Sequence, residues 1–222
     1  YTSKDVTVDP EKLGTLDSLH FFGDEPIGRI VELLAETPEE KKVLDIGTGF
    51  GGTARLLAHR SGCKVDALEL QPDMNFLELP VQRNQYDAVL FQRCYDNLKP
   101  GGVLYVDDFF IRGEKLTLED EHTLKQDIYC ADLLHVEELR TVLSACGFEK
   151  LDFQDVTTKW QPYLSDRATH YHAALETHIA RDGEAAAHGL DHFYTRVAQL
   201  FQAGNVGGYT LIARKPLILD SV

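Results

Sequence analysis

The sequence is short of basic charge. Its 22 Lys and Arg stand against 36 Asp and Glu, a net charge of −14 over 222 residues. Nucleic-acid binding depends on neutralising phosphates with Lys and Arg. With no basic cluster present, the sequence argues against DNA or RNA as substrate or partner. The acid excess is compatible with a small cationic ligand, although such an excess more often marks a solvated surface. Cysteine is also scarce: Cys63, Cys94, Cys130 and Cys146 contain no C-x-x-C pair. Neither zinc spacing nor a secreted disulfide framework results, and reduced thiols in a cytoplasmic protein are predicted. No compact His/Asp/Glu cluster has metal-ligand spacing, so no metal site is expected. No run of about 18 apolar residues exists, which argues against a membrane span. No amino-terminal signal pattern is present. The chain opens on Tyr1 rather than Met, so the native start is expected upstream.

What the chain does have is enough apolar content, 43%, for a globular core, and one organising stretch. Lys42-Val43-Leu44-Asp45-Ile46-Gly47-Thr48-Gly49-Phe50-Gly51-Gly52 reads as a buried strand and a glycine-rich turn, with a helix from about Thr53. Glycine reaches φ > 0 without strain and lets a ligand lie against bare backbone. The following helix offers its unpaired first-turn N–H groups. In open α/β sheets, ligands bind at the carboxyl ends of strands. The spacing Gly47-x-Gly49-x-x-Gly52 also fits a dinucleotide fingerprint, and by itself it does not name the ligand.

Two further features narrow the choice. Ala67-Leu68-Glu69-Leu70 ends the next strand with an acid suited to ribose hydroxyls, 24 residues after Asp45. Downstream, Asn97-Leu98-Lys99-Pro100-Gly101-Gly102 leads from a helix end through a turn into the strand Val103-Leu104-Tyr105-Val106. In this order the three pieces resemble class I S-adenosylmethionine-dependent methyltransferases over nearly the whole chain. The resemblance implies a Rossmann-like α/β fold, with a mostly parallel sheet and an antiparallel last strand. It implies S-adenosylmethionine as cofactor, cradled by Gly47, Thr48, Gly49 and Gly51, with Asp45 close by. Glu69 would hold the ribose and Leu70 would stand beside it. One methyltransferase domain over 1–222 is expected, as a monomer or homodimer.

Taken in order, residues 1–24 are expected to form a leading segment that folds over cofactor and substrate. His20 reads either as a proton acceptor or substrate contact, or as a ring packed under Phe21 and Phe22. Phe22 is the substrate-side aromatic of this segment. Ile27, Ile30, Val31, Leu33 and Leu34 space as an amphipathic helix, opened by Pro26. Between Glu69 and Tyr105 the chain is too short for the fold. A parallel crossover needs a dozen residues or more, yet only Gln71 to Asn75 separate Leu70 from Phe76. Tyr86-Asp87-Ala88-Val89 reads as a strand running without a loop into the helix of Leu90 to Tyr95. Residues are therefore expected to be absent near 75/76 and near 89/90.

The strand Val103–Val106 is expected to end in Asp107 and Asp108 beside the cleft, and alternation along the strand puts the two on opposite faces, without saying which one faces the pocket. Asp108 is the favoured catalytic acid, with Asp107 on the substrate side. Residues 114–134 look like an insertion over the site, and His122 and His135 in this region read as surface or structural. A helix from Val136 ends at a glycine cap, Gly147, and a strand covers Phe148 to Val156. A helical insertion (157–206) follows, with breaks near Asp182-Gly183 and at Gly189. Its aromatics include Trp160 and Tyr163, candidate substrate contacts through cation–π attraction; packing is the other reading of such a stripe. Gly207 to Lys215 closes as the last strand.

Leu90-Phe91-Gln92-Arg93-Cys94-Tyr95, Leu143-Ser144-Ala145-Cys146-Gly147-Phe148, and Asp155-Val156 followed by Trp160 are similar to phosphoethanolamine and sarcosine/dimethylglycine N-methyltransferases. This small-molecule branch implies an amine acceptor. A natural-product O-methyltransferase and a non-catalytic, cofactor-binding partner subunit remain the alternatives.

Overall fold

The computed structural model describes residues 9–11, 24–36, 41–48, 51–68, 86–128, 130 and 133–217. They fall into two compact units, Tyr1–Pro80 and Val81–Val222. Among them, no helix is long and apolar enough to cross a membrane.

In the first unit, α1 (Glu25–Ala35) opens with Pro26 in its first turn and buries Ile27 and Leu33. It is followed by β1 (Lys42–Ile46), α2 (Gly52–Ser61) and β2 (Lys64–Leu68). Ile27, Leu56, Leu57 and Cys63 form its core, with Val43 and Val65 packed against them. The two strands pair in parallel, Asp45 opposite Ala67 and Ile46 opposite Leu68. The buried strand expected here is only half realised, because Leu44 is 51% exposed. Val43 lies on the face covered by helices, so alternation turns Leu44 to the other face. Among the described residues of this unit nothing covers that face. An ion cluster fastens the unit's edge. The Arg60 guanidinium donates to both oxygens of Glu11 (2.9 and 2.6 Å) and to Asp24 (2.7 Å).

The second unit starts with α3 (Tyr86–Asn97). The strand expected at Tyr86–Val89 is therefore the first turn of a helix, and the 89/90 joint falls inside it; the 75/76 joint lies outside the described residues. Four residues of mixed polarity do not separate a strand from a helical turn. Such a run can simply take the i→i−4 bonds of the helix that follows. Next come β3 (Val103–Ile111), α4 (Leu118–Gln126), α5 (Val136–Ala145) and β4 (Glu149–Asp155). The helical insertion is α6 (Thr157–Ala173), α7 (Leu175–Asp182) and α8 (Glu184–Ala203), and β5 (Val206–Arg214) closes the order. Breaks fall at Ala174 and Gly183. The break expected at Gly189 does not occur; this glycine sits inside the 20-residue α8, where its propensity cost of about 1 kcal/mol is carried by the helix around it.

The strand order is β3-β5-β4, with β5 antiparallel to both neighbours. Its central place explains why it is buried almost throughout. Phe91, Phe110, Leu139, Leu143, Phe148, Tyr209 and Leu211 make the core on this sheet. Lys215, just past β5, donates to the carbonyls of Tyr95 (2.7 Å) and Leu98 (2.9 Å), satisfying acceptors at the end of α3. The 114–134 region supplies α4, with a capping box between Thr117 and Asp120. Asp127 ties it to α8: His192 Nε2 lies 2.9 Å away and Arg196 Nε 3.0 Å. His122 is exposed and His135 is the N-cap of α5, so both occupy surface or structural positions.

Candidate functional site

The turn between β1 and α2 is built by two left-handed glycines, Gly47 at φ +76° and Gly51 at φ +78°. An L side chain is strained at either. Gly51 N–H donates to Thr48 carbonyl oxygen at 2.8 Å, which closes the turn. Gly51 is also the N-cap of α2, so no side chain caps this helix, and its first turn holds no acid. Gly52, the first helical residue, is buried. A Cβ on Gly47 would meet no atom within 4 Å, so the backbone there is open to an incoming molecule.

Two oxygens, Asp45 Oδ2 near the end of β1 and Thr48 Oγ1 in the turn, are shielded from solvent and lack a hydrogen-bond partner among the described residues. Shielded polar atoms are normally paired. An unmatched carboxylate oxygen, an unmatched hydroxyl and an uncapped helix start together fit a polar ligand bearing both donors and a carboxylate, as a methionine moiety does. The residues present therefore fit the expected cofactor. Ile46 and Leu68 are register partners, so the chain leaves β1 and β2 at the same end. Glu69, Leu70 and Gly49 lie outside the described residues, as do His20 and Phe22.

In the second unit the paired acids are not where the sequence reading put them. β3 runs on to Ile111, so Asp107 and Asp108 lie within it, opposite Thr210 and Tyr209. The correction has a simple cause: β5 is long enough to pair every residue from Val103 to Ile111, and that ladder outweighs the poor strand propensity of aspartate. The two acids do alternate. Asp107 has both carboxylate oxygens shielded, while Asp108 is exposed and accepts from Phe109 N–H at 2.7 Å. Trp160 is 2% exposed, its indole pressed on Gly208 and stacked 6.4 Å from the Phe201 ring. The protein's own atoms account for this ring without a substrate. Tyr163 is half-buried on α6. Among the described residues, no group of His, Cys, Asp or Glu is arranged to hold a metal ion.

The sequence reading missed one side-chain arrangement, an arginine pair lining one groove, Arg112 just past β3 and Arg140 midway along α5. They belong to separate elements, and no local pattern joins them.

No family model matches the chain. It is 25% identical over 198 residues to a phosphoethanolamine N-methyltransferase of Plasmodium falciparum, covering 72% of this chain and 73% of the relative. It is 27% identical over 216 residues to a glycine/sarcosine/dimethylglycine N-methyltransferase of Actinopolyspora halophila, covering 76% of this chain and 35% of the relative. A solved structure of Haemonchus contortus phosphoethanolamine N-methyltransferase 2, in complex with phosphomonomethylethanolamine and S-adenosylhomocysteine, matches with TM-score 0.70 at 20% identity. That match covers 88% of this chain and 53% of the worm chain, so the protein spans about half the length of that enzyme. The fold is thus the α/β fold of this class, with its last strand antiparallel. The Plasmodium match has an internal imbalance. It runs over 198 positions but takes in 72% of 222 residues, about 160, so roughly 38 positions face no residue of this chain.

Proposed function

We propose that this is an S-adenosylmethionine-dependent methyltransferase of the class I fold that moves a methyl group to a small-molecule amine of the glycine-derivative or phosphoethanolamine type. One observation carries the cofactor half of this reading: the open turn with two orphaned oxygens, Asp45 Oδ2 and Thr48 Oγ1. The acceptor class is supported by the N-methyltransferases the chain is similar to.

Bound S-adenosylmethionine supplies an electrophilic methyl on a sulfonium. The chain's part is to hold, align and remove a proton. The backbone at Gly47 and Gly51 receives the methionine part. Asp45 Oδ2 is placed to accept from its ammonium, and Thr48 Oγ1 to exchange a hydrogen bond with its carboxylate or ammonium. We assign the ribose hydroxyls to Glu69. Holding the acceptor amine in line can supply much of the rate, up to roughly 7–11 kcal/mol of barrier in well-oriented reactions. The bound cofactor would give up its methyl to the acceptor nitrogen and keep the electron pair of the S–C bond as the neutral thioether. The amine's proton passes to a carboxylate or imidazole base. Asp108 and His20 are the two groups we assign to that role.

A second reading, cofactor binding without turnover, is favoured by one observation, the shortness between β2 and α3. We propose that residues are absent near 75/76, where the chain is too short for a parallel crossover; α3 runs unbroken through 89/90. The roughly 38 unmatched positions support this. Labelled methyl transfer to glycine derivatives, ethanolamine phosphates and small phenols separates the readings. Transfer to an amine supports the first; transfer to phenols alone overturns the acceptor class. Tight S-adenosylmethionine binding with no transfer supports the second. A preference for NAD would overturn both.

A further inference from the structure

The turn between β1 and α2 carries a charge on each side of its glycines. On the strand side is Asp45, with its shielded Oδ2. On the helix side is Arg55, half-buried, the fourth residue of α2. Its backbone N–H donates to the Gly51 carbonyl at 3.0 Å, which fixes it one turn above the loop. Long helical side chains lean back toward the N-terminus, and this one does. A Cβ on Gly51 would lie 3.2 Å from Arg55 Nη1 and 3.9 Å from Thr48 Oγ1. Guanidinium and hydroxyl therefore flank the same bare side of Gly51.

This placement runs against the field of the helix. The start of a helix carries partial positive charge, and basic side chains are favoured in the last turn. His59 and Arg60, in the last turn of α2, follow that rule. Arg55 breaks it. Its guanidinium adds positive charge beside the first-turn N–H groups, and that turn holds no acid. The corner suits an anion, served by both the helix start and the guanidinium. Asp45, on the strand side, suits a cation. A place for an anion and a place for a cation on one bare turn match the end of an α-amino acid, which carries a carboxylate and an ammonium on one carbon. The planar fork of an arginine fits a carboxylate with two parallel bonds.

We propose that Arg55 binds the carboxylate of the cofactor's amino-acid end, with the Thr48 hydroxyl donating to the same group and Asp45 holding the ammonium. The inference rests on the S-adenosylmethionine reading and deepens it. It makes this turn the part of the site that tells the intact cofactor from one that has lost its carboxylate. Gly51 serves it by leaving room for the guanidinium.

The test uses the full chain and three adenosine thioethers, with binding read by isothermal titration calorimetry. S-adenosylhomocysteine carries both charged groups. Its decarboxylated counterpart, the aminopropyl thioether, keeps only the ammonium. Its deaminated counterpart, the carboxypropyl thioether, keeps only the carboxylate. The unaltered chain is expected to bind S-adenosylhomocysteine at least about tenfold more tightly than the aminopropyl thioether, which makes no charge-assisted bond to Arg55. Arg55→Met is expected to bring those two within about twofold of each other, by weakening S-adenosylhomocysteine and leaving the aminopropyl thioether no weaker. The carboxypropyl thioether is expected to weaken by at least about tenfold in the same variant. Arg55→Lys, which keeps the charge and loses the fork, is expected to retain only part of the preference; it serves as the second variant if Arg55→Met fails to fold. A purely structural role would lower all three affinities by one factor, and that result overturns the proposal. So does equal binding of S-adenosylhomocysteine and the aminopropyl thioether by the unaltered chain, or a preference left intact by the substitutions. Binding of none of the three by the unaltered, folded chain refutes the cofactor reading itself and this inference with it.

Discussion

Gly208→Ala is the substitution that separates packing from substrate contact at Trp160. A Cβ at Gly208 would lie 2.5 Å from Trp160 Cζ3 and 2.7 Å from Cδ2, with Cε3 closer still. Neither side can give way. Gly208 lies on β5, which is paired on both edges, and the indole is 2% exposed. Overpacking of this kind costs about 1–3 kcal/mol, and the entropy relief of losing a strand glycine returns about 0.5–1 kcal/mol. The net loss is largest where the indole moves least, and at about 2–4 °C per kcal/mol for a chain of this size the melting temperature falls by several degrees. Trp160→Ala alone opens a cavity costing about 3–5 kcal/mol. In the double variant the new methyl enters that cavity, so its cost is less than the sum by about 1–3 kcal/mol. Urea unfolding followed by far-UV circular dichroism measures all four corners of the cycle. Additivity within about 0.5 kcal/mol would refute the packing account. So would a Trp160→Phe variant of unchanged stability whose KM for the amine rises alone, which would return Trp160 to the substrate site.

Other outcomes follow from the same geometry. Gly47→Ala places a side chain at φ +76° in open space, so its effect is backbone strain of about 1–2 kcal/mol, read as weaker S-adenosylmethionine binding by calorimetry. Glu69→Ala is expected to weaken that binding by at least about tenfold, the loss of a charge-assisted hydrogen bond; unchanged affinity would remove Glu69 from the ribose role. Asp127 is held below the usual carboxylate range first by its hydrogen bond to His192, with Arg196 adding to it against the opposing pull of burial. A depressed folded-state pKa gives stability that is complete above the ordinary value, about 4, and lost as pH falls through the folded one. Hydrogen exchange in α4 and α8 should therefore quicken below about pH 4, and Asp127→Asn should remove that acid dependence. Lys215→Met removes two hydrogen bonds, to the Tyr95 and Leu98 carbonyls, and should cost about 1–2 kcal/mol in thermal unfolding.

What the sequence determined by itself was local. Glycines at 47 and 51 are demanded by left-handed backbone at those positions, so the turn, its preceding strand and its following helix were legible from spacing. The amphipathic α1, the glycine-capped α5 and the last strand followed from periodicity in the same way. Tertiary structure decided what depends on partners far along the chain. Asp107 and Asp108 sit inside β3 because β5, about a hundred residues later, offers matching backbone as far as Ile111. Trp160 is core because Gly208 admits it. Leu44 is exposed because one sheet face of its unit lacks cover among the described residues. Arg112 and Arg140 face one groove because β3 and α5 meet there. Hydrogen-bond ladders and packing pair residues by position in space, and no window of neighbouring residues carries that information.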